Sequence, residues 1–220
     1  MNVGKFGQFN RIVIKVGSAL LLNKNEGFNR SWLNNLSNEI EQLHNRHTEI
    51  LIVSSGAVAI GSTYLKKKRS HMNLNEMQAA AAMGQAQLVM EWQDSFKSSG
   101  INTAQILLTR SDTENKKRFL NSKDTLLTLI KYNVIPIINE NDTVATEELK
   151  YGDNDRLAAR VAQMTSADLL ILLSDVDGMY TSNPKTNQTA KHIPVIENLN
   201  EEIFSMADTA DSNYGSGGMI

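Results

Sequence analysis

Five short, nearly unbroken apolar runs recur along this chain, each separated from the next by a longer stretch with helical periodicity. The runs are RIVIKV (11–16), EILIVS (49–54), INTAQILL (101–108), NVIPII (133–138) and ADLLILLS (167–174). A strand with one wet face alternates apolar and polar residues. These runs do not alternate, so both of their faces must be covered. Between them, residues 29–46 read as a polar amphipathic helix. Residues 73–97 place Leu74, Met77, Ala81, Gly84, Leu88 and Trp92 at spacings of three and four. Helical patterns over 114–131 and 153–164 continue the series. Strand–helix alternation with right-handed crossovers predicts an α/β fold, a three-layer αβα sandwich around a mainly parallel central sheet. No Pro/Gly/Ser-rich linker and no internal repeat divides the chain, which predicts one domain. Pro136 cannot donate to a ladder, so its run is expected to hold an irregular or edge position there.

Composition narrows the chemistry. At 220 residues and 41% apolar content the chain can bury a sizeable core, and its net charge of −2 gives no electrostatic reason to expect nucleic acid or an anionic membrane as partner. The one dense basic run, Lys66 to Arg69, reads first as a solvated loop face, with phosphate or nucleic-acid binding the lesser alternative. There are no cysteines, which removes thiolate catalysis, disulfides and Cys-ligated zinc, and the four histidines show no metal-ligand spacing. No charged segment followed by an apolar stretch opens the chain, and no window approaches 18 apolar residues. A cytoplasmic protein is the expectation.

In a parallel α/β sheet, ligands bind beyond the carboxyl ends of the strands, so the loops after each run become a candidate list. The first run ends with Lys15 and then GSALL. The second is followed by SSGA, the fourth by NEND, and the fifth leads into SDVDGMY; GSGGM lies near the end of the chain. Lys15 is costly in an apolar strand unless its ammonium emerges at the rim. It either meets an anion there or snorkels to water. SSGA and GSGGM offer bare backbone N–H groups to a phosphate, or simply close turns. Neither is a Walker A motif, and no GxGxxG follows the first run. Asn139, Glu140, Asn141 and Asp142, then Asp153, Asn154 and Asp155, gather short amides and carboxylates where a strand ends and a helix begins. Turn and cap formation is one reading. An amino-acid pocket is the other, since a carboxylate accepts from an α-ammonium and an amide can donate to a carboxylate. Phosphoryl transfer fits this set, because it asks the protein mainly for positioned cations and backbone donors. A carboxylate acceptor is already ionised at neutral pH, so no histidine or cysteine is required.

Eight blocks occur in a characteristic order: IVIKVGSALL, IVSSGAVAIG, QAAAAMGQ, LLTRSD with RFLN, PIINENDTV, YGDND, LLSDVDGMYTSNP and GSGGM. In these the chain resembles the glutamate 5-kinase branch of the amino acid kinase family over residues 11–219. The resemblance implies the amino acid kinase fold and transfer of a phosphoryl group from ATP to the γ-carboxylate of L-glutamate, with Mg²⁺, as the entry to proline synthesis. Proline as feedback inhibitor and a homo-oligomeric state follow from the same likeness. It assigns Lys15 to the transferring phosphate and Asp155 to orienting it. Ser55, Asn139, Asp142, Asp153 and Asn154 are assigned to glutamate. Lys15, Gly17, Ser174, Asp175 and the loop Gly215, Ser216, Gly217, Gly218 and Met219 are assigned to the nucleotide.

One departure stands beside this. In the family the glycine loop continues as GGM-x-T-K, whereas Ile220 is reached before that second lysine. Residues 1–220 are therefore expected to form a kinase domain that is C-terminally incomplete, without the RNA-binding-like domain that many members append. Two alternatives accompany the leading expectation: an impaired piece that still binds glutamate or nucleotide, and a kinase for a different carboxylate acceptor.

Overall fold

The computed structural model describes residues 9–23, 27–144 and 154–201, together with 203 and 206. Along the chain run β1 (Arg11–Val16), the single-turn helix α1 (Ser18–Leu21), an antiparallel pair β2 (Leu22–Asn23) and β3 (Gly27–Phe28), and α2 (Arg30–His44). Then follow β4 (Glu49–Ser54), α3 (Ala57–Tyr64), α4 (Leu74–Phe96), β5 (Asn102–Leu108), α5 (Arg110–Glu114), α6 (Lys116–Lys131) and β6 (Val134–Glu140). The described chain closes with α7 (Asn154–Thr165), β7 (Leu169–Leu173) and a small antiparallel pair, β8 (Met179–Tyr180) with β9 (His192–Ile193).

The five long strands form one sheet in the order β5-β6-β4-β1-β7, and every pairing in it is parallel. Side chains alternate between the two faces of a strand, and that alternation sorts the core into two layers. Ile12, Ile14, Val16, Ile50, Ile52, Ile135 and Ile137 pack beneath α2 and α4, against Leu33, Ile40, Leu88, Trp92 and Phe96. Val13, Leu51, Val53 and Ile138 pack on the opposite face beneath α6 and α7, against Leu126, Leu157, Ala158, Val161 and Met164. The predicted three-layer sandwich is the fold observed. Trp92 and Phe96 are fully buried and stacked, their ring centroids 6.1 Å apart. Truncating either to alanine costs about 3–5 kcal/mol by the usual cavity arithmetic.

Three local expectations are revised. The pattern over 114–131 is one helix, α6, that starts two residues later than expected, because Asn115 takes an extended φ/ψ and its side chain caps α6 by accepting from the Lys117 and Arg118 N–H groups; Glu114 closes the separate α5. The loop reading of SSGA conceals α3, whose N-cap Gly56 sits at φ 117, a conformation open to glycine at little cost. Pro136 lies in an interior strand, not at an edge. The β4 ladder begins only at Ile137, so the missing N–H removes no rung from it; Pro136 itself pairs with Ala104 of β5.

α3 and α4 cross in backbone contact. A Cβ at Gly61 would lie 1.8 Å from the Ala80 carbonyl oxygen, and one at Gly84 would lie 1.9 Å from that of Ala57. This close crossing seats the residue after Gly84, Gln85, against the carboxyl end of the sheet.

Candidate active site

An open cleft lies beyond the carboxyl ends of β1, β4, β6 and β7, where ligands of a parallel α/β sheet bind. Strand alternation explains its floor. Lys15 shares a face with Val13, the face that α7 covers, and the first turn of α7 supplies Asp155. The Lys15 Nζ lies 2.5 Å from Asp155 Oδ1, with the side chains only 5% and 9% exposed. A charge this buried is tolerated only with a partner, and the positive end of α7 further favours the carboxylate. Lys15 lines the cleft, and Asp155 offsets its charge from the floor beneath.

One flank is a chain of side-chain hydrogen bonds. Ser54 and Asn139 point to the other face of the sheet, toward α4. Trp92 Nε1 donates to Ser54 Oγ at 2.9 Å. Asn139 Nδ2 donates to Gln85 Oε1 at 2.7 Å, and Asn139 Oδ1 accepts from Asn154 Nδ2 at 2.7 Å. Asn154 Nδ2 also donates to Ser55 Oγ at 2.9 Å. Asn139 is 2% exposed and engaged at both ends of its amide, so it holds Asn154 as much as it lines the cleft. Asp142 borders the same flank. Burial pushes its carboxyl up to about 6, against the pull of the Arg69 guanidinium. Arg69 lines the cleft too, in a short 3-10 turn, so the first reading of 66–69 as a solvated face does not hold for this residue. Lys67 of that run pairs with Glu76 instead.

The opposite flank is shallower. Gly17 donates its N–H to the Leu173 carbonyl at 3.1 Å, joining the β1 loop to the end of β7. Ser174 and Asp175 follow β7 into the cleft. Lys185 Nζ lies 2.5 Å from Asp175 Oδ2, and this contact holds the Asp175 carboxyl below its ordinary range. Asp177 accepts from the Tyr180 hydroxyl at 2.8 Å and is not among the cleft residues.

Lys15, Gly17, Ser55, Asn139, Asp142, Asn154, Ser174 and Asp175 thus line one cleft, with Asp155 paired to its floor. Asp153 and the loop Gly215, Ser216, Gly217, Gly218 and Met219 lie outside the described residues. Sequence reasoning missed Gln85 and Arg69 as participants. The QAAAAMGQ block carried a signal for Gln85, and nothing separated Arg69 from its basic neighbours. Among the described residues no group of three His, Cys, Asp or Glu side chains is gathered to hold a metal, and no helix is long and apolar enough to cross a membrane.

The chain is similar to proteins named glutamate 5-kinase. It is 49% identical to that of Bartonella henselae over 215 residues, covering 98% of this chain and 57% of the relative. It is 50% identical to those of Bradyrhizobium diazoefficiens and Rhodopseudomonas palustris, each over 216 residues, again covering 98% of this chain and 58% and 57% of the relatives. The chain therefore spans somewhat over half the length of these curated relatives. In fold it is similar to the UMP kinase of Bacillus anthracis, with a TM-score of 0.58 at 17% identity, covering 84% of this chain and 72% of that one. The Ureaplasma parvum UMP kinase gives 0.56 at 21% identity, covering 83% and 74%. The model of the amino acid kinase family matches residues 10–220. With the buried lysine–aspartate pair at the mouth of a parallel sheet, these likenesses identify the chain as a member of the amino acid kinase family.

Proposed function

We propose that this chain carries the catalytic cleft of an ATP-dependent kinase acting on the γ-carboxylate of L-glutamate, giving γ-glutamyl phosphate and ADP, the first step of proline biosynthesis. The observation that carries the reading is the buried Lys15–Asp155 pair, set between an amide-rich flank suited to an amino acid and a flank bearing Ser174 and Asp175. The names of the relatives supply the acceptor. The γ-carboxylate is ionised at neutral pH and needs no general base. One of its oxygens bonds to the γ-phosphorus of ATP as the bond from that phosphorus to the bridging β-oxygen breaks, so no proton moves.

Lys15 offsets the charge on the transferring phosphoryl group, and Asp155 keeps the ammonium aimed at it. Asp142 receives the α-ammonium of the acceptor, with Ser55, Asn139 and Asn154 around it and Asp153 beside them in sequence. Gly17, Ser174 and Asp175 serve the nucleotide, as does the loop from Gly215 to Met219. Mg²⁺ would be held mainly by phosphate oxygens, with Asp175 as the nearby carboxylate, and would spread the negative charge of ATP. A homo-oligomer, feedback inhibition by proline and a cytoplasmic site of action belong to the same proposal.

The test is to incubate the chain with Mg·ATP, hydroxylamine and L-glutamate, then with L-aspartate and N-acetyl-L-glutamate, and to assay hydroxamate and ADP. Glutamate-dependent hydroxamate supports the reading. Product with another acceptor alone reassigns the substrate. Binding of glutamate and nucleotide without product overturns turnover and leaves a binding module.

A further inference from the structure

We propose that Gln85 is a positioning residue that sets the donor–acceptor polarity of the acceptor pocket, and through it the preference for a zwitterionic amino acid; this rests on the amino-acid reading of the cleft. The QAAAAMGQ block contributes no side chain to the cleft lining, yet its last residue is 93% buried at the end of the sheet. Gln85 Oε1 accepts from Asn139 Nδ2. Its own Nε2 is buried without a hydrogen-bond partner among the described residues. An apolar side chain of this size would avoid that orphaned donor, so the amide is best accounted for by the acceptor it provides.

The consequence runs outward through one amide after another. With an acceptor fixed at Gln85, Asn139 must turn its NH₂ inward and its Oδ1 toward Asn154. Asn154 then commits its NH₂ to Asn139 and to Ser55 Oγ, and the Ser54 carbonyl at 3.3 Å favours the same orientation. Its Oδ1 is left as the group able to accept, which suits an α-ammonium. Ser55 already accepts from Asn154, so its hydroxyl proton is available to donate to a carboxylate. Reversal of the chain would exchange these roles and present donors to the ammonium. The close crossing at Gly61 and Gly84 fixes α4 at the depth this requires.

The experiment measures binding by calorimetry for L-glutamate, for its des-amino analogue glutarate, and for Mg·ADP. It uses the chain as it stands and its Gln85→Met and Gln85→Glu variants. We expect Gln85→Met to weaken glutamate by about tenfold. The same variant should narrow the glutamate-over-glutarate ratio while Mg·ADP binding stays within about twofold. Gln85→Glu keeps an oxygen acceptor for Asn139 and should restore most of the ratio. Unchanged glutamate binding in Gln85→Met overturns the proposal. So does equal weakening of glutamate, glutarate and Mg·ADP, which marks a merely structural residue. If the unaltered chain binds Mg·ADP but no glutamate, the amino-acid reading itself falls, and this inference with it.

Discussion

The two flanks of the cleft are built to different standards. The amide flank draws Gln85 from α4, Asn139 from β6 and Asn154 from α7, and all three are buried. The flank after β7 rests on Ser174, Asp175 and the Asp175–Lys185 contact, whose side chains are 40% and 63% exposed. Apart from the Gln85 Nε2 group, that buried network has its partners in place, and loosening it leaves groups that water cannot reach. An exposed pair is solvated either way and contributes little. The amide flank is therefore held in place by buried partners, whereas the other flank is solvated and held by a weaker contact.

Substitutions can break or sharpen this contrast. The largest effect falls between the flanks: Lys15→Met should reduce hydroxamate formation by on the order of 10³-fold. A loss below about tenfold would remove Lys15 from the chemistry. Next, Gly84→Ala should cost about 3 kcal/mol of stability by forcing α3 from α4. A denaturant midpoint equal to that of the unaltered chain would show that the crossing can relax. Third, Asp142→Asn should weaken glutamate by about tenfold at neutral pH. Because burial raises the Asp142 carboxyl to about 6, glutamate affinity should fall as the pH drops through that value. The substitution should flatten the profile. The sign for stability is opposite. The raised value makes the fold relatively more favourable below the ordinary 3.8, an advantage lost as the pH rises through about 6. Asp142→Asn should therefore raise the melting temperature at neutral pH and leave it unchanged in strong acid. The smallest effect belongs to the exposed flank. Lys185→Gln should shift the KM for ATP by about two- to threefold, less at high salt, with stability unmoved. A tenfold change would place Lys185 among the phosphate ligands.

The layered fold and the cleft floor were legible in the sequence for physical reasons. β1 and β4 announce themselves because a strand covered on both faces has no polar alternation, and Lys15 stands out as a charge in such a strand. The caps and crossings were harder to read. α3 hides behind SSGA, a string that also describes a turn, and the break at Asn115 depends on one residue's φ/ψ. Gln85 looks like an ordinary polar position on a helix. Its partner is 54 residues away, and only the alternation of β6, fixed by register, shows that Asn139 faces α4. Arg69 is one charge in a run of four, and its place over the cleft depends on a 3-10 turn with no apolar pattern to mark it.

Asn154 and Asp155 are consecutive residues in the first turn of α7, yet one belongs to the amide network and the other holds Lys15. A single peptide unit thus joins the part of the cleft suited to choosing an acceptor with the part suited to driving transfer. On the proposed function, a change at 154 that alters the choice of acceptor would also disturb the turn that carries Asp155, so acceptor preference and rate should shift together in such variants.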